Sequence, residues 1–418
     1  MNNGNFISKD LNGLLEKYLS KDQIESYIRT IATNFIPKHP LRLTDTGNQL
    51  NKYFNENVQT KSIRIFADTL ITFVSKALAE HRYIDFLLDF SKLILIQGEK
   101  NLSYEISNLI IQLSSKNKAY ENYHASALLH LAEYHMSQAN TKEALHYIKS
   151  ARTIFESLKD NFNIGKCEFL VGAIYVEQGD LKAGKVRLEN CLNYINPDND
   201  KLLSAQIDVH FGIICYVEGK FDEAQKHYNQ ASKIFEQLGD QRRLCEVLIN
   251  QAMIYRKQNN IQRALEVYNY CSEIARENGF APILNLCFIN KTEIYWENKE
   301  IDRASKYSQK ALELSYLLND RYSIAEVHKL NGLIAKRQSN YTLAENYLLT
   351  SLRLNEELDQ KLNAAETNHE LGNLYTETGN NNFAMQYLMA ALKYYTKITS
   401  KSKANQIEVQ LQNLAVSG

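Results

Sequence analysis

Seven alanines recur along this chain at an almost constant interval. Ala144, Ala183, Ala224, Ala264, Ala304, Ala344 and Ala384 lie 39, 41, 40, 40, 40 and 40 residues apart. A period of that length describes a supersecondary unit too small to bury its own apolar face, so each copy must stack on the next. The outcome is an array held by nearest-neighbour interfaces. Its 418 residues therefore need not be partitioned into two or three globular domains, as the length alone would imply.

Each unit reads as two helical runs of roughly 15 to 18 residues joined by a short polar turn. The first run carries a small residue and, three positions on, an aromatic: Gly172 and Tyr175, Ala252 and Tyr255, Thr292 and Tyr295, Gly372 and Tyr375. Turn chemistry follows in Gln178-Gly179-Asp180, Glu218-Gly219-Lys220, Gln258-Asn259-Asn260, Lys299-Glu300, Ser339-Asn340 and Gly379-Asn380. In the second run Ala151, Ala231, Cys271, Ala311, Ser351 and Ala391 stand seven residues after the marker, while Cys191 falls one residue late in a unit that is one residue short. Seven residues make two helical turns, so marker and follower share a face that admits a close neighbour, and Tyr228, Tyr268 or Leu348 fills the space beside them. The chain has 4 prolines, of which Pro197 and Pro282 fall at junctions between units, in keeping with nearly continuous helix.

This sequence of small residue, aromatic, small residue, aromatic or leucine, small residue resembles the tetratricopeptide repeat family over seven units, from about Asn122 to about Ile398. The resemblance implies an all-α fold, a right-handed α-α superhelical solenoid of helical hairpins. The usual unit is about 34 residues, and the longer spacing here is similar to the branch found in regulatory and sensory members. The junctions Ile234-Phe235-Glu236-Gln237-Leu238-Gly239-Asp240 and Leu354-Asn355-Glu356-Glu357-Leu358-Asp359 resemble that branch too. Thr292, and the lack of a proline after most second helices, depart from the family pattern.

The expected organisation is a helical amino-terminal region at 1–120, seven repeats at 121–398, and a capping helix with tail at 399–418. Helices are expected at 8–18 and 22–35, a loop at Pro37 and Pro40, and a helix starting near Thr44-Asp45. A degenerate hairpin is read from 63–79 and 84–96 with its turn at Glu80-His81-Arg82-Tyr83 and Phe86 at the marker position. The apolar excess of Phe86-Leu87-Leu88 and Leu93-Ile94-Leu95-Ile96 predicts a helix buried on several sides. The plain role for this region is a cap on the first repeat; the sharper one is an effector module. No basic recognition helix follows a tight turn in 11–35. Ile407, Val409, Leu411 and Leu414 fit a capping helix better than a dimer contact, and the oligomeric state stays open.

Basic and acidic residues balance at 48 each, which argues against direct nucleic-acid binding or a general affinity for anionic membranes. No apolar run is long enough for membrane insertion, and the start lacks the features of a signal peptide, so a cytoplasmic location is expected. The six cysteines, Cys167, Cys191, Cys215, Cys245, Cys271 and Cys287, occur singly and read as small buried hydrophobes. Phosphate-binding, dinucleotide, zinc-protease and nucleophile-elbow motifs are missing. His130, Glu133 and His135 have the wrong spacing for one helix face, so neither catalysis nor a metal or other cofactor is expected.

In the family resembled, first helices line a concave surface, and this implies an apolar inner face in the first three units: Leu129, Met136, Phe169, Ala173, Val176, Val209, Ile213, Tyr216 and Val217. A large exposed apolar face needs a cover, and the amino-terminal segment is expected to fold over it. The last four units present Arg256, Lys257, Glu293, Trp296, Glu297, Lys329, Lys336, Arg337, His369, Asn373 and Glu377 instead. Cations flanking the single tryptophan, Trp296, are suited to clamping an acidic segment, and Asn250 and Asn290 to reading a peptide backbone. The expected function is a scaffold that binds a protein or peptide partner in the groove without catalysis. The alternative is a peptide-sensing signalling regulator whose amino-terminal helices act on a response regulator or on transcription.

Overall fold

The computed structural model describes residues 4–35, 60–96, 100–115, 117–397 and 401–417, and all regular structure among them is helical. The helix expected from Thr44-Asp45 and the loop at Pro37 and Pro40 lie outside the described residues. The chain divides into two compact units, Met1–Val247 and Leu248–Gly418. The first contains α1 (Gly4–Tyr18), α2 (Lys21–Phe35), α3 (Thr60–Ala77), α4 (Glu80–Ile96), α5 (Lys100–Ser114), α6 (Glu121–Ser137) and α7 (Thr141–Leu158). It continues through α8 (Asn161–Glu177), α9 (Leu181–Leu192), α10 (Lys201–Val217), α11 (Phe221–Leu238) and the start of α12 (Gln241–Lys257). The second holds the rest of α12, then α13 (Ile261–Glu277), α14 (Ala281–Glu297), α15 (Ile301–Leu317), α16 (Arg321–Arg337) and α17 (Tyr341–Glu357). It ends with α18 (Lys361–Glu377), α19 (Asn381–Lys397) and α20 (Lys401–Ser417).

Hairpins form because each first helix ends in a left-handed residue. Positive φ recurs at Ala139, Gly179, Gly219, Asn259, Lys299, Ser339 and Gly379, each forty residues from the last. Several second helices then start on a side-chain cap: Asp180 accepts from the Ala183 N–H at 3.1 Å, and Asn260 and Asn340 do the same for Arg263 and Leu343, each at 3.3 Å.

The marker of the second repeat needs correction. Gly184 is buried there and Ala183 is only half-buried. A Cβ on Gly184 would stand 2.6 Å from Val176 Cγ2, so glycine is the residue that fits. With Gly184 in place every marker interval is 40, and Cys191 falls seven residues after its marker like its counterparts.

Within hairpins the contacts trade size for size. Gly172 faces Leu188, Gly332 faces Leu348 and Gly372 faces Leu388, and a Cβ on Gly212 would lie 2.4 Å from the ring of Tyr228. The corresponding pair in the fifth repeat is Thr292 with Ser308, both 0 % exposed, so the larger first-helix residue is matched by a smaller one on the second.

The pairing of the amino-terminal helices also differs from the sequence reading. Glu80–Tyr83 is the first turn of α4, not a loop, and α4 packs chiefly on α5, with α3 a lesser neighbour. Ser91 Oγ lies 3.0 Å from Ser103 Oγ and 2.9 Å from Ser107 Oγ, all three buried. The interval from Ser91 to Ser103 equals that from Gly172 to Gly184, so α4 and α5 repeat the hairpin register with serine in the small positions. Phe86, Leu87 and Phe90 are each 0 % exposed, as the apolar excess predicts.

Residues of α1 to α5 form one core, from Leu11 and Tyr27 to Ile110, joined by Ala127 of α6. The inner residues Leu129, Phe169 and Val176 belong to a separate core with Ile174 and Ile214. Among the described residues, therefore, α1 to α3 do not cover the apolar inner face; adjacent first helices cover one another, as where Phe169 packs edge-on to His210 at 5.1 Å. Val217, 61 % exposed, stays outside this packing.

Candidate functional site

The candidate residues all lie in the second unit, on the first helices α12, α14, α16 and α18. Successive first helices there meet in a fixed register, in which a residue contacts positions 37 and 41 further along. Arg256 pairs with both Glu293 and Glu297, the latter at 2.6 Å. Lys329 meets Glu366 at 2.8 Å and Glu326 at 3.0 Å, and Lys336 meets Glu377 at 2.8 Å. Burial works against the charges of Arg256 and Lys329, but their carboxylates outweigh it and hold both cations above their ordinary pKa. Three of the expected ligand-binding cations are thus neutralised within the chain.

His369 and Asn373 are occupied as well. His369 Nε2 lies 2.9 Å from Gln410 Oε1, and the Gln410 amide donates to Asn373 Oδ1 at 2.9 Å. Ala404, Ile407 and Leu414 of α20 are buried in a core with residues of α17 to α19, so this helix packs on the preceding hairpins and brings Gln410 to the polar positions of α18. Asn290 is 9 % exposed; its side chain donates to Leu286 O at 2.8 Å and accepts from Tyr268 Oη at 3.1 Å. Its oxygen and its amide are therefore both engaged, the oxygen by the preceding repeat, and neither is held out for a peptide. Asn250 is half-buried on α12.

What remains is Trp296, Arg337 and Lys257. The Arg337 guanidinium lies 4.5 Å from the Trp296 ring, in the same 41-residue register as the ion pairs. Arg337 is exposed, and no carboxylate is within ion-pair distance of it among the described residues. The indole N–H is buried without an acceptor there. Lys257 is exposed at the end of α12.

The sequence reading missed the neutralising carboxylates. Their signal is opposite charge 37 or 41 residues apart, two positions one helical turn from each other on the next first helix. It also missed a cavity of about 620 Å³ in the first unit, to which Lys92, Lys166, Lys201 and Arg243 come from separate helices. No cluster disposed to hold a metal occurs among the described residues, and no helix there is long and apolar enough to cross a membrane.

Stacked helical hairpins with a polar inner register define the class, an all-α repeat protein whose first helices carry the variable chemistry. Residues 203–277 and 365–397 match models of the tetratricopeptide repeat, so the helical hairpins of those stretches are tetratricopeptide repeats. A search of curated proteins finds no match. Among solved structures it is similar to a Rap protein complexed with competence and sporulation factor, at 13 % identity over 98 % of each chain and a TM-score of 0.54. It is also similar to the apo quorum sensor NprR from B. thuringiensis, at 16 % identity over 83 % of this chain and 99 % of that one, with a TM-score of 0.52. A signal transduction ATPase with a tetratricopeptide repeat sensor from Pyrococcus horikoshii gives 15 % identity and a TM-score of 0.54; 96 % of this chain aligns, over 65 % of that protein's length. At such identities the likeness is one of fold.

Proposed function

We propose that the second unit binds a polypeptide segment along its first helices, with Trp296 and Arg337 as the anchor. The observation that carries this reading is the one unneutralised guanidinium of that register: Arg256, Lys329 and Lys336 have carboxylate partners, whereas Arg337 rests on an indole and keeps its charge for a ligand. A carboxylate on the guanidinium and an apolar side chain on the ring is the complementary pair, so the preferred ligand is an acidic segment with an adjacent bulky residue. Lys257 adds charge one end further on, and Asn250 remains the candidate backbone reader.

Selection from a random hexapeptide display library tests this. The wild-type protein should enrich Asp or Glu next to an apolar residue, and Arg337→Glu and Trp296→Ala should each abolish the enrichment while keeping helicity. If Trp296 and Arg337 are only a structural rung, the variants lose stability but select the same peptides, which overturns the proposal.

The alignment over 98 % of each chain with a Rap protein complexed with competence and sporulation factor supports a second reading, in which the ligand is a signalling peptide and α1 to α3 act as an effector module. Small-angle scattering with an enriched hexapeptide separates the two: a sensor changes its dimensions on binding and a scaffold does not.

A further inference from the structure

The cavity in the first unit is built from residues that the repeat code does not require. Its charged lining comprises Lys92 on α4, Lys166 on α8, Lys201 on α10 and Arg243 on α12, against Glu133 on α6 and Asp200 at the start of α10. Four cations face two carboxylates, and both carboxylates already have a partner. Glu133 lies 3.6 Å from Lys166, and Asp200 Oδ2 accepts the Asn196 N–H at 2.9 Å. Arg243 pairs with Asp240. Lys92 and Lys201 have no carboxylate within ion-pair distance among the described residues.

These cations feel one another. Loss of water against the cavity walls lowers the Lys92 pKa, and Lys166 and then Arg243 lower it further against the opposing pull of Glu133. The first turn of α10 lines the same space, adding the positive end of its backbone dipole. The rest of the wall sets Asn163, Asn199 and Gln206 beside apolar side chains: Phe162 and Leu238, 43 % and 47 % exposed, stand with the buried Phe169. Two exposed apolar side chains beside uncompensated cations are costly on a free surface and useful in a ligand site.

We propose that this cavity binds a small amphiphilic organic anion, a carboxylate or phosphate monoester carried on an aromatic or branched aliphatic body. The charged end sits among Lys92, Lys201 and Arg243, and the body lies against Phe162, Phe169 and Leu238. The volume of about 620 Å³ fits a drug-sized molecule and not a folded partner. The site is independent of the polypeptide face in the second unit.

The probe is 1-anilinonaphthalene-8-sulfonate, which carries one anionic group on an aromatic body. The wild-type protein should bind it saturably, with one equivalent lost and residual affinity roughly tenfold or more weaker in Lys92→Glu and Lys201→Glu. Lys233→Glu, exposed on α11, makes the same change in net charge and should bind like wild type. Phenyl phosphate and 4-phenylbutyrate are then competed against the bound dye, so that the stronger competitor identifies the headgroup, while benzyl alcohol should not compete. Phe162→Ser gives a second route: it should weaken dye binding with every cation of the site left in place. Equal dye affinity in the three lysine variants, no saturable binding by wild type, or competition by benzyl alcohol would overturn the proposal.

Discussion

At the scale of single residues, stability rests on a few contacts that permit no exchange. Gly212 is the sharpest case. A methyl there gains roughly 0.5–1 kcal/mol of helix propensity, but it would stand 2.4 Å from Tyr228 Cε1 and 2.9 Å from Cζ, against a ring 2 % exposed. A buried ring is not the free end of a flexible chain, so overpacking wins. Gly212→Ala should lower stability by about 1–2 kcal/mol in urea unfolding, and an unchanged midpoint would mean that the ring moves aside at no cost. His130 makes a different test. Burial, opposed by Glu133 and reinforced by Lys166 and Lys92, lowers its pKa from 6.5 to about 4. The folded state then holds fewer protons than the unfolded chain between those values, so stability present above pH 6.5 is lost as the pH falls towards 4. At about 1.4 kcal/mol per unit the loss is roughly 3 kcal/mol. The fall in unfolding midpoint between pH 7 and pH 4.5 should be smaller in His130→Leu than in wild type; an equal fall in both would refute the assignment.

At the scale of the element, the turn that closes each hairpin asks for a left-handed residue, and the chain meets it unequally. Gly179, Gly219 and Gly379 adopt it freely, whereas Ala139, Lys299 and Ser339 hold φ of 56°, 63° and 61° with a Cβ present. Lys299→Gly should therefore stabilise by about 0.5–1 kcal/mol, and Gly219→Lys should cost a similar amount, both read from denaturant midpoints. Turns and helix spans were legible in the sequence because local chemistry sets them. The α4–α5 hairpin was not, because Ser91 and Ser103 take the small positions and their hydroxyls satisfy each other only once the two helices are paired. Pro282 shows the same limit on a smaller scale: it stands in the first turn of α14, where no backbone N–H is needed, and not in the junction before it.

At the scale of the whole molecule, an array of this kind is stabilised through its neighbours, so its ends are the weakest part. Removing 401–418 uncovers Ala391 and Tyr395, deletes the buried Ile407 and Leu414, and frees His369 and Asn373 from Gln410. Hydrogen exchange in that truncated protein should speed by tenfold or more in α19, while α14 to α16 keep their protection; uniform loss would mean that the unit unfolds as one. The candidate site shows what distance along the chain conceals. Arg256, Lys329, Lys336, His369 and Asn373 look available in sequence, yet their partners Glu297, Glu366, Glu377 and Gln410 are a repeat away. The sequence by itself determined the period, the helices, the turns and the small-residue faces, since each follows from backbone geometry and side-chain volume within about forty residues. The tertiary structure decided which charges are spent and which are left, because that depends on stacking register: it leaves Arg337 on Trp296, and it gathers Lys92, Lys201 and Arg243 around a cavity that no local pattern foretells.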